Sequence, residues 1–178
     1  MNALDEIIDG LYLGNIFSPR NGRILKAANI KYILSVTHDT ISLPNDHEIV
    51  AHRRIEVEDY GDVDILEHFE EANKFIDTAL LSGSSVLVHC VQGASRSASF
   101  VAAYLMQKRG WSRDEALQFM RSKRPAVNPN QGFLEQLEVY QKSDCKVTAE
   151  SPGYVDWVKR RDEAFAKQMQ EMQDTKVT

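Results

Sequence analysis

The sequence predicts an α/β layer fold: a central, mostly parallel sheet flanked by helices, with one extra helix at the C-terminus. Three observations predict it. Short apolar runs alternate with segments whose apolar residues recur every three or four positions. Helix-starting pairs, such as Ser112 with Glu115, precede the helical segments. Finally, Val86-Leu87-Val88 leads through a tight loop into the helix-forming run Ala98–Met106. That is the strand–loop–helix order by which such sheets hold ligands beyond the carboxyl end of a central strand.

The elements follow in order. Leu11-Tyr12-Leu13 reads as a short strand closed by Gly14, and Ile24, Leu25 and Ala28 give residues 22–28 an apolar helical face. Lys31–Val36 reads as a buried strand. Residues 37–48, with Asp39, Pro44, Asn45 and Asp46, read as a surface loop, and Arg53–Val57 as a strand of alternating character. A helix is expected from Asp64 to Leu80: Asp64 and Glu67 have capping-box spacing, and Ile65, Phe69, Ala72, Ile76 and Ala79 share one face. Ser82-Gly83-Ser84 ends it. The helix after the tight loop stops at Gly110, the next runs from Ser112 to Lys123, and Pro125 breaks the chain. Residues 131–142 form a helix that turns Phe133, Leu137 and Tyr140 inward. Ser151-Pro152 is a favourable helix start, with Val158, Phe165, Met169 and Met172 at helical spacing behind it. Gln168–Thr178 is polar enough to be expected disordered.

The tight loop carries the chemistry. His89-Cys90-Val91-Gln92-Gly93-Ala94-Ser95-Arg96-Ser97 puts a thiol at its start and a guanidinium at its end. A loop feeding a helix N-terminus turns backbone N–H groups inward, where the helix dipole adds positive potential. Gly93 supplies the backbone freedom of a tight cradle, and the planar fork of Arg96 matches two phosphate oxygens at once. The same field favours a thiolate, and a thiolate facing a bound phosphoryl group can attack phosphorus. Val91, Gln92, Gly93, Ala94, Ser95 and Arg96 are thus candidate phosphate ligands, with Cys90 the candidate nucleophile. The leaving oxygen needs a proton from a carboxylic acid, for which Asp59, Asp62 and Asp64 are the candidates.

The stretch resembles the signature of the cysteine-dependent protein tyrosine phosphatases, in their small dual-specificity branch. The resemblance runs over residues 5–145. It takes in Gly10-Leu11-Tyr12-Leu13-Gly14, Ile33-Leu34-Ser35-Val36-Thr37, Ala103-Tyr104-Leu105-Met106, Arg124-Pro125, Pro129-Asn130-Gln131-Gly132-Phe133 and Gln136-Leu137. It implies a protein tyrosine phosphatase-like fold and hydrolysis of phosphotyrosine, phosphoserine and phosphothreonine through a phosphocysteine, without cofactor or metal. It assigns the general acid to Asp59, which follows a strand in Val57-Glu58-Asp59. Asp64 then remains a helix cap and Asp62 a solvated turn residue. It gives Ser97 a hydrogen bond to the cysteine sulfur beside the bland reading of an N-cap. His89 becomes a residue that orders the loop, and Asn130 a support for it beside the bland reading of a turn former. A loop without lysine or arginine between Cys90 and Arg96 is unlike the phosphoinositide phosphatases of this superfamily, and the chain is too short for the deep pocket of the tyrosine-specific enzymes.

Composition bounds the rest. The 178 residues, 43% hydrophobic, suffice for one domain with its own core, and a net charge of −5 argues against nonspecific nucleic-acid binding. No apolar run reaches the about 18 residues of a membrane span, and no secretory signal is visible. The expected partner is a phosphorylated protein, with neither nucleic acid nor membrane. The two cysteines, Cys90 and Cys145, lack metal-ligand spacing with histidines. A reactive thiol points to a reducing compartment, cytosol or nucleus. Cys145 reads either as an ordinary thiol or as a redox partner of Cys90.

The expected division is a catalytic domain over 1–145 and a helical extension over 146–178. Stretches like Cys145 to Arg161, with Tyr154, Trp157 and Lys159-Arg160-Arg161, follow the catalytic domain in a subgroup of these phosphatases that continues into a zinc-binding domain. The cysteines and histidines of that domain are absent from this sequence. The extension reads either as a helix packed on the core or as a docking and self-association helix over 151–172. The latter would make the protein an interaction or assembly factor with secondary catalysis.

Overall fold

The structure is a computed structural model that describes residues 2–176. Among these, five strands pair in the order β1-β2-β5-β3-β4: β1 (Leu4–Ile8), β2 (Leu11–Gly14), β3 (Ile30–Val36), β4 (Ala51–Ile55) and β5 (Ser85–His89). Only β1 and β2 pair antiparallel; the other three pairings are parallel. The helices are α1 (Gly22–Ala27), α2 (Phe69–Leu81), α3 (Arg96–Arg109), α4 (Arg113–Lys123), α5 (Gln131–Lys142) and α6 (Pro152–Lys176), with 3-10 turns at Ser18–Arg20 and Leu66–His68.

β5 is buried over its whole length and sits between β2 and β3. Its Val86 and Val88 face a thick layer of α2, α3, α4 and α5, while Leu87 faces a thinner cover of Leu25, Ile30 and Ile33. Ile30 and Ile33 have opposite parity along β3 and yet share that thin side. The reason is a register shift against β5 between Ile30 and Tyr32, which inverts the alternation beyond it. In the thick layer the Phe69 ring meets Phe100 edge-on at 5.3 Å and Tyr140 at 5.0 Å. α3 is buried from Arg96 to Met106, so the helix that begins at the loop is also the axle of the core. Parallel register aligns Gly14, Ser35 and His89, which places the loops after β2, β3 and β5 at one edge of the sheet.

Most predicted elements are present, including the Ser112–Glu115 capping box of α4 and the left-handed Gly110 that stops α3. Four differ. β1 is not expected from the sequence; within the sheet it pairs with β2 alone. The strand expected over Arg53–Val57 lies two residues earlier, because Tyr32 to Val36 pair with Ala51 to Ile55. The helix expected from Asp64 opens as a 3-10 turn, and α2 begins at Phe69. There Asp64 Oδ1 accepts from the N–H groups of Leu66 and Glu67 (3.0 and 3.4 Å), whereas Glu67 faces His68. The disorder expected over Gln168–Thr178 is corrected by α6, which continues to Lys176; Val177 and Thr178 lie outside the described residues.

Phe100→Ala should cost about 3–5 kcal/mol in urea unfolding, since it opens a cavity beside Phe69. Phe165→Ala, at a side chain 58% exposed on α6, should stay within about 0.5 kcal/mol.

Candidate active site

The loop from Cys90 to Ser95 is fixed from outside. Each of its carbonyls beyond Cys90 accepts a hydrogen bond from a surrounding donor. Val91 O takes Ile16 N–H (3.1 Å), Gln92 O takes Arg124 Nη2 (3.2 Å), and Gly93 O takes Arg124 Nε (2.9 Å). Ala94 O takes Asn128 N–H (2.8 Å), and Ser95 O takes both Ser99 N–H and Ser99 Oγ (2.9 Å each). In a planar trans peptide the N–H points opposite to the C=O. The amides of Gln92 through Arg96 therefore turn inward, towards the sulfur, and Gly93 N–H reaches Cys90 Sγ at 3.2 Å. Gly93 has φ +69, and a Cβ there would stand closer than 3.0 Å to Gly14 O and Arg124 Nη2, so only glycine fits.

Cys90 is 2% exposed, and its sulfur also accepts from Ser97 Oγ at 3.1 Å. Both donors suit a sulfur that carries negative charge. Ser97 thus spends its hydroxyl on the sulfur and not on a helix cap; the N-cap position belongs to Ser95. Arg96 Nη1 donates to Val57 O (3.2 Å), while its Nε is buried without a hydrogen-bond partner. A buried guanidinium N–H left open at the head of an amide-lined loop is a place for an anion's oxygen.

His89 is fully buried, and burial pushes its ring down to about 4. The neutral ring has a defined proton order. The Cys90 carbonyl can only accept, so Nδ1 carries the proton and donates to it (3.3 Å). Nε2 then accepts from Ser35 Oγ (2.6 Å), whose oxygen accepts in turn from His52 Nε2 (2.8 Å). His89 is a strut between β3 and the base of the loop.

Of the three candidate acids, only Asp59 faces the loop. Its Oδ1 accepts from Ser95 Oγ (2.6 Å) and Asn130 Nδ2 (2.9 Å), and its Oδ2 lies 3.7 Å from Arg96 Nε. Asp62 is exposed, and Asp64 turns the other way, to its 3-10 turn and to α6. Asn130 does two things at once: Oδ1 caps α5 through Phe133 N–H (2.9 Å), and Nδ2 holds Asp59.

Several side chains shape the site in ways the sequence does not announce, among them that of Ser95, expected only as a phosphate ligand. Ser95 bridges the loop to Asp59 and to Asn130 N–H (3.1 Å). Arg124, 1% exposed, joins two loop carbonyls to Asp5 Oδ2 (2.6 Å) on β1. Gln136 pins the stretch after Asp59 by bonding Gly61 O (3.3 Å), Val63 O (2.8 Å) and Ile65 N–H (2.8 Å). Gly61 and Gly132 touch backbone to backbone, so a Cβ on Gly132 would collide with Gly61. A glycine in the first turn of a helix costs helix propensity of about 1 kcal/mol, and that cost was the available signal at Gly132.

Cys145 cannot pair with Cys90. Its carbonyl accepts from Gln107, near the C-terminal end of α3, whereas Cys90 sits at the N-terminal end. The ten-residue step along α3 from Ser97, which touches Cys90, to Gln107 rises about 15 Å, beyond disulfide reach. Among the described residues no cluster of His, Cys, Asp and Glu could hold a metal ion, and no helix is long and apolar enough to cross a membrane.

With this geometry in place, comparisons with known proteins become informative. The family described as dual specificity phosphatase, catalytic domain, matches residues 11–143, which leaves α6 outside. Dual specificity protein phosphatase 1B of Arabidopsis thaliana is 40% identical over 140 residues, covering 79% of this chain and 83% of that protein. Tyrosine-protein phosphatase yvh1 of Schizosaccharomyces pombe is 35% identical over 168 residues, covering 93% of this chain and 50% of that one. Among solved structures, the Yvh1 phosphatase domain from Chaetomium thermophilum superposes with a TM-score of 0.76 at 33% identity, over 83% of this chain and 100% of that one.

Two outcomes follow from the outer frame of the loop. Arg124→Met leaves Asp5 and two loop carbonyls without their donor, and should destabilise the protein by about 3–5 kcal/mol in urea unfolding. The second concerns pH. His89 titrates near 6.5 when unfolded and near about 4 when folded, so the unfolded chain binds more protons between these values. Stability present above pH 6.5 is therefore lost as pH falls towards about 4, and His89→Asn should flatten part of that slope.

Proposed function

The chain belongs to the dual specificity protein phosphatase family, and on that premise we propose a role for each residue in the hydrolysis of phosphotyrosine, phosphoserine and phosphothreonine. The observation that carries the proposal is the inward-facing amide loop, with the Cys90 sulfur at its floor and the open Arg96 Nε at its rim. The amides of Gln92 through Arg96 and the Arg96 guanidinium take the phosphoryl oxygens and stabilise the charge that builds on them. Cys90 Sγ attacks phosphorus, an S–P bond forms, and the P–O bond to the substrate breaks. Asp59 gives its proton to the departing oxygen. In the second step Asp59 takes a proton from water, the water oxygen bonds to phosphorus, and the S–P bond breaks to release inorganic phosphate. Ser97 steadies the sulfur as it leaves through the hydrogen bond it already makes. His89 holds the base of the nucleophile loop through the Cys90 carbonyl, and the side chains of Ser95 and Asn130 hold Asp59 by donating to its Oδ1.

Besides substrate and water, the steps above use only side chains and amides of the chain. Activity of a free thiolate fits a reducing compartment such as cytosol or nucleus. For residues 151–172 we infer a contact with protein, supported by Phe165, Met169 and Met172, which stand 58%, 42% and 50% exposed at helical spacing on α6.

Hydrolysis of p-nitrophenyl phosphate in EDTA tests the mechanism. Activity should persist in the chelator, vanish in Cys90→Ser and fall about 10²- to 10⁴-fold in Asp59→Asn. Loss of activity in EDTA, or full activity in Cys90→Ser, would overturn it.

A further inference from the structure

Asp59 lies in an irregular segment between the end of β4 at Ile55 and the 3-10 turn at Leu66. Its near end is held by Ser95 and Asn130, and its middle by Gln136 and the Gly61–Gly132 contact. Its far end is Asp64, whose carboxylate does two unrelated jobs. Oδ1 accepts from Leu66 and Glu67 N–H, while Oδ2 accepts from the Tyr154 hydroxyl at 2.7 Å and has Arg161 Nη1 at 3.9 Å. Tyr154 and Arg161 belong to α6. The Asp64 carboxylate is 12% exposed on its side chain, so this hydrogen bond is shielded from water. Accepting that proton, together with burial, pushes the Tyr154 hydroxyl up to about 12, so it remains a donor at any physiological pH.

The rest of the contact is apolar. Trp157 is 4% exposed, with the Tyr154 ring stacked on one side at 6.2 Å and the Arg161 guanidinium 5.1 Å from its ring centre. A cleft of about 330 Å³ has Gly61, Asp62 and Gly132 on one wall and Trp157, Arg161 and Phe165 on the other. The first wall is the Asp59 segment and the helix start it leans on. α6 therefore forms the outer side of the segment that carries the acid, although it lies beyond the catalytic region shared with the family.

We propose that α6 is a positioning element for the Asp59 segment, acting through the Tyr154–Asp64 hydrogen bond and the seated Trp157. Protonation of the leaving group then depends on a helix outside the catalytic domain. The inference rests on Asp59 as the proton donor. Tyr154 and Trp157 touch no substrate; they act by fixing Asp64, five residues beyond the acid and joined to it through the Gly61–Val63 backbone that Gln136 grips.

The test uses the full chain and two aryl phosphates, phenyl phosphate and 2,4-dinitrophenyl phosphate. The first leaving group needs a proton as it departs; the second is acidic enough to leave without one. Asp59→Asn should lose far more activity on phenyl phosphate than on the dinitrophenyl ester. Tyr154→Phe, which removes only the hydroxyl, and Trp157→Ala should show the same selectivity in milder form. Their expected loss is about tenfold in kcat on phenyl phosphate, a part of the general-acid contribution. KM, turnover of the dinitrophenyl ester and the rate of Cys90 alkylation by iodoacetate should stay within about twofold. Leaving-group selectivity in Asp59→Asn, with none in Tyr154→Phe or equal losses on both esters, would overturn the role of α6 alone. No selectivity in Asp59→Asn would overturn the acid assignment and the inference together.

Discussion

Everything at this site depends on where the carbonyls of one loop point. A chain of six residues can line an anion cradle with N–H groups only if something else takes its oxygens. Here Ile16, Ser99, Arg124 and Asn128 take them, from three separate parts of the sequence. Arg124 contributes most, since one guanidinium satisfies two carbonyls and an aspartate at once. The cradle is therefore not a local property of the loop. It is built by tertiary contacts that reach from β1 to the end of α4, and the preorganised donors need no rearrangement when charge develops in front of them.

Two buried guanidiniums thus play opposite parts. Arg124 is fully engaged, with oxygens on each of its nitrogens, and acts as a structural tie. Arg96 is held by a single bond to Val57 O and keeps its Nε open. A satisfied charge gives rigidity, whereas a buried donor left unsatisfied is a place for a ligand's oxygen. Asp59, the proposed acid, is held by equally few contacts. Asp59 is fixed at one oxygen by Ser95 and Asn130, while its other oxygen faces Arg96, on the side where a phosphoryl group would lie.

Local signals made much of this legible. The β5–loop–α3 unit could be read because an apolar run, a glycine and an arginine fall within one short stretch, and Ser112 with Glu115 announces α4 from its own side chains. Asp59 is singled out from Asp62 and Asp64 only through the resemblance to the dual-specificity phosphatases, and it is the one of the three that faces the loop. The missing parts depend on distant partners. Asp5 and Arg124 are 119 residues apart, and nothing near either marks the pair. β1 carries Asp5 and Glu6 among its apolar residues, so its pattern stays weak until β2 is beside it. β4 is an edge strand with three exposed residues in a row, which leaves its register to be set by β3 and not by its own alternation. The polar end of α6 reads as disorder because composition does not report a helix that has already been nucleated against Trp157 and Tyr154.

A crystal structure of the reduced protein with tungstate tests the central claim most directly. The account predicts an anion seated above Cys90 Sγ, accepting from the amides of Gln92 through Arg96 and from Arg96 Nε, with Arg124 still bound to the carbonyls of Gln92 and Gly93. An anion bound away from the loop, or one that faces any of the loop's carbonyls, would contradict it.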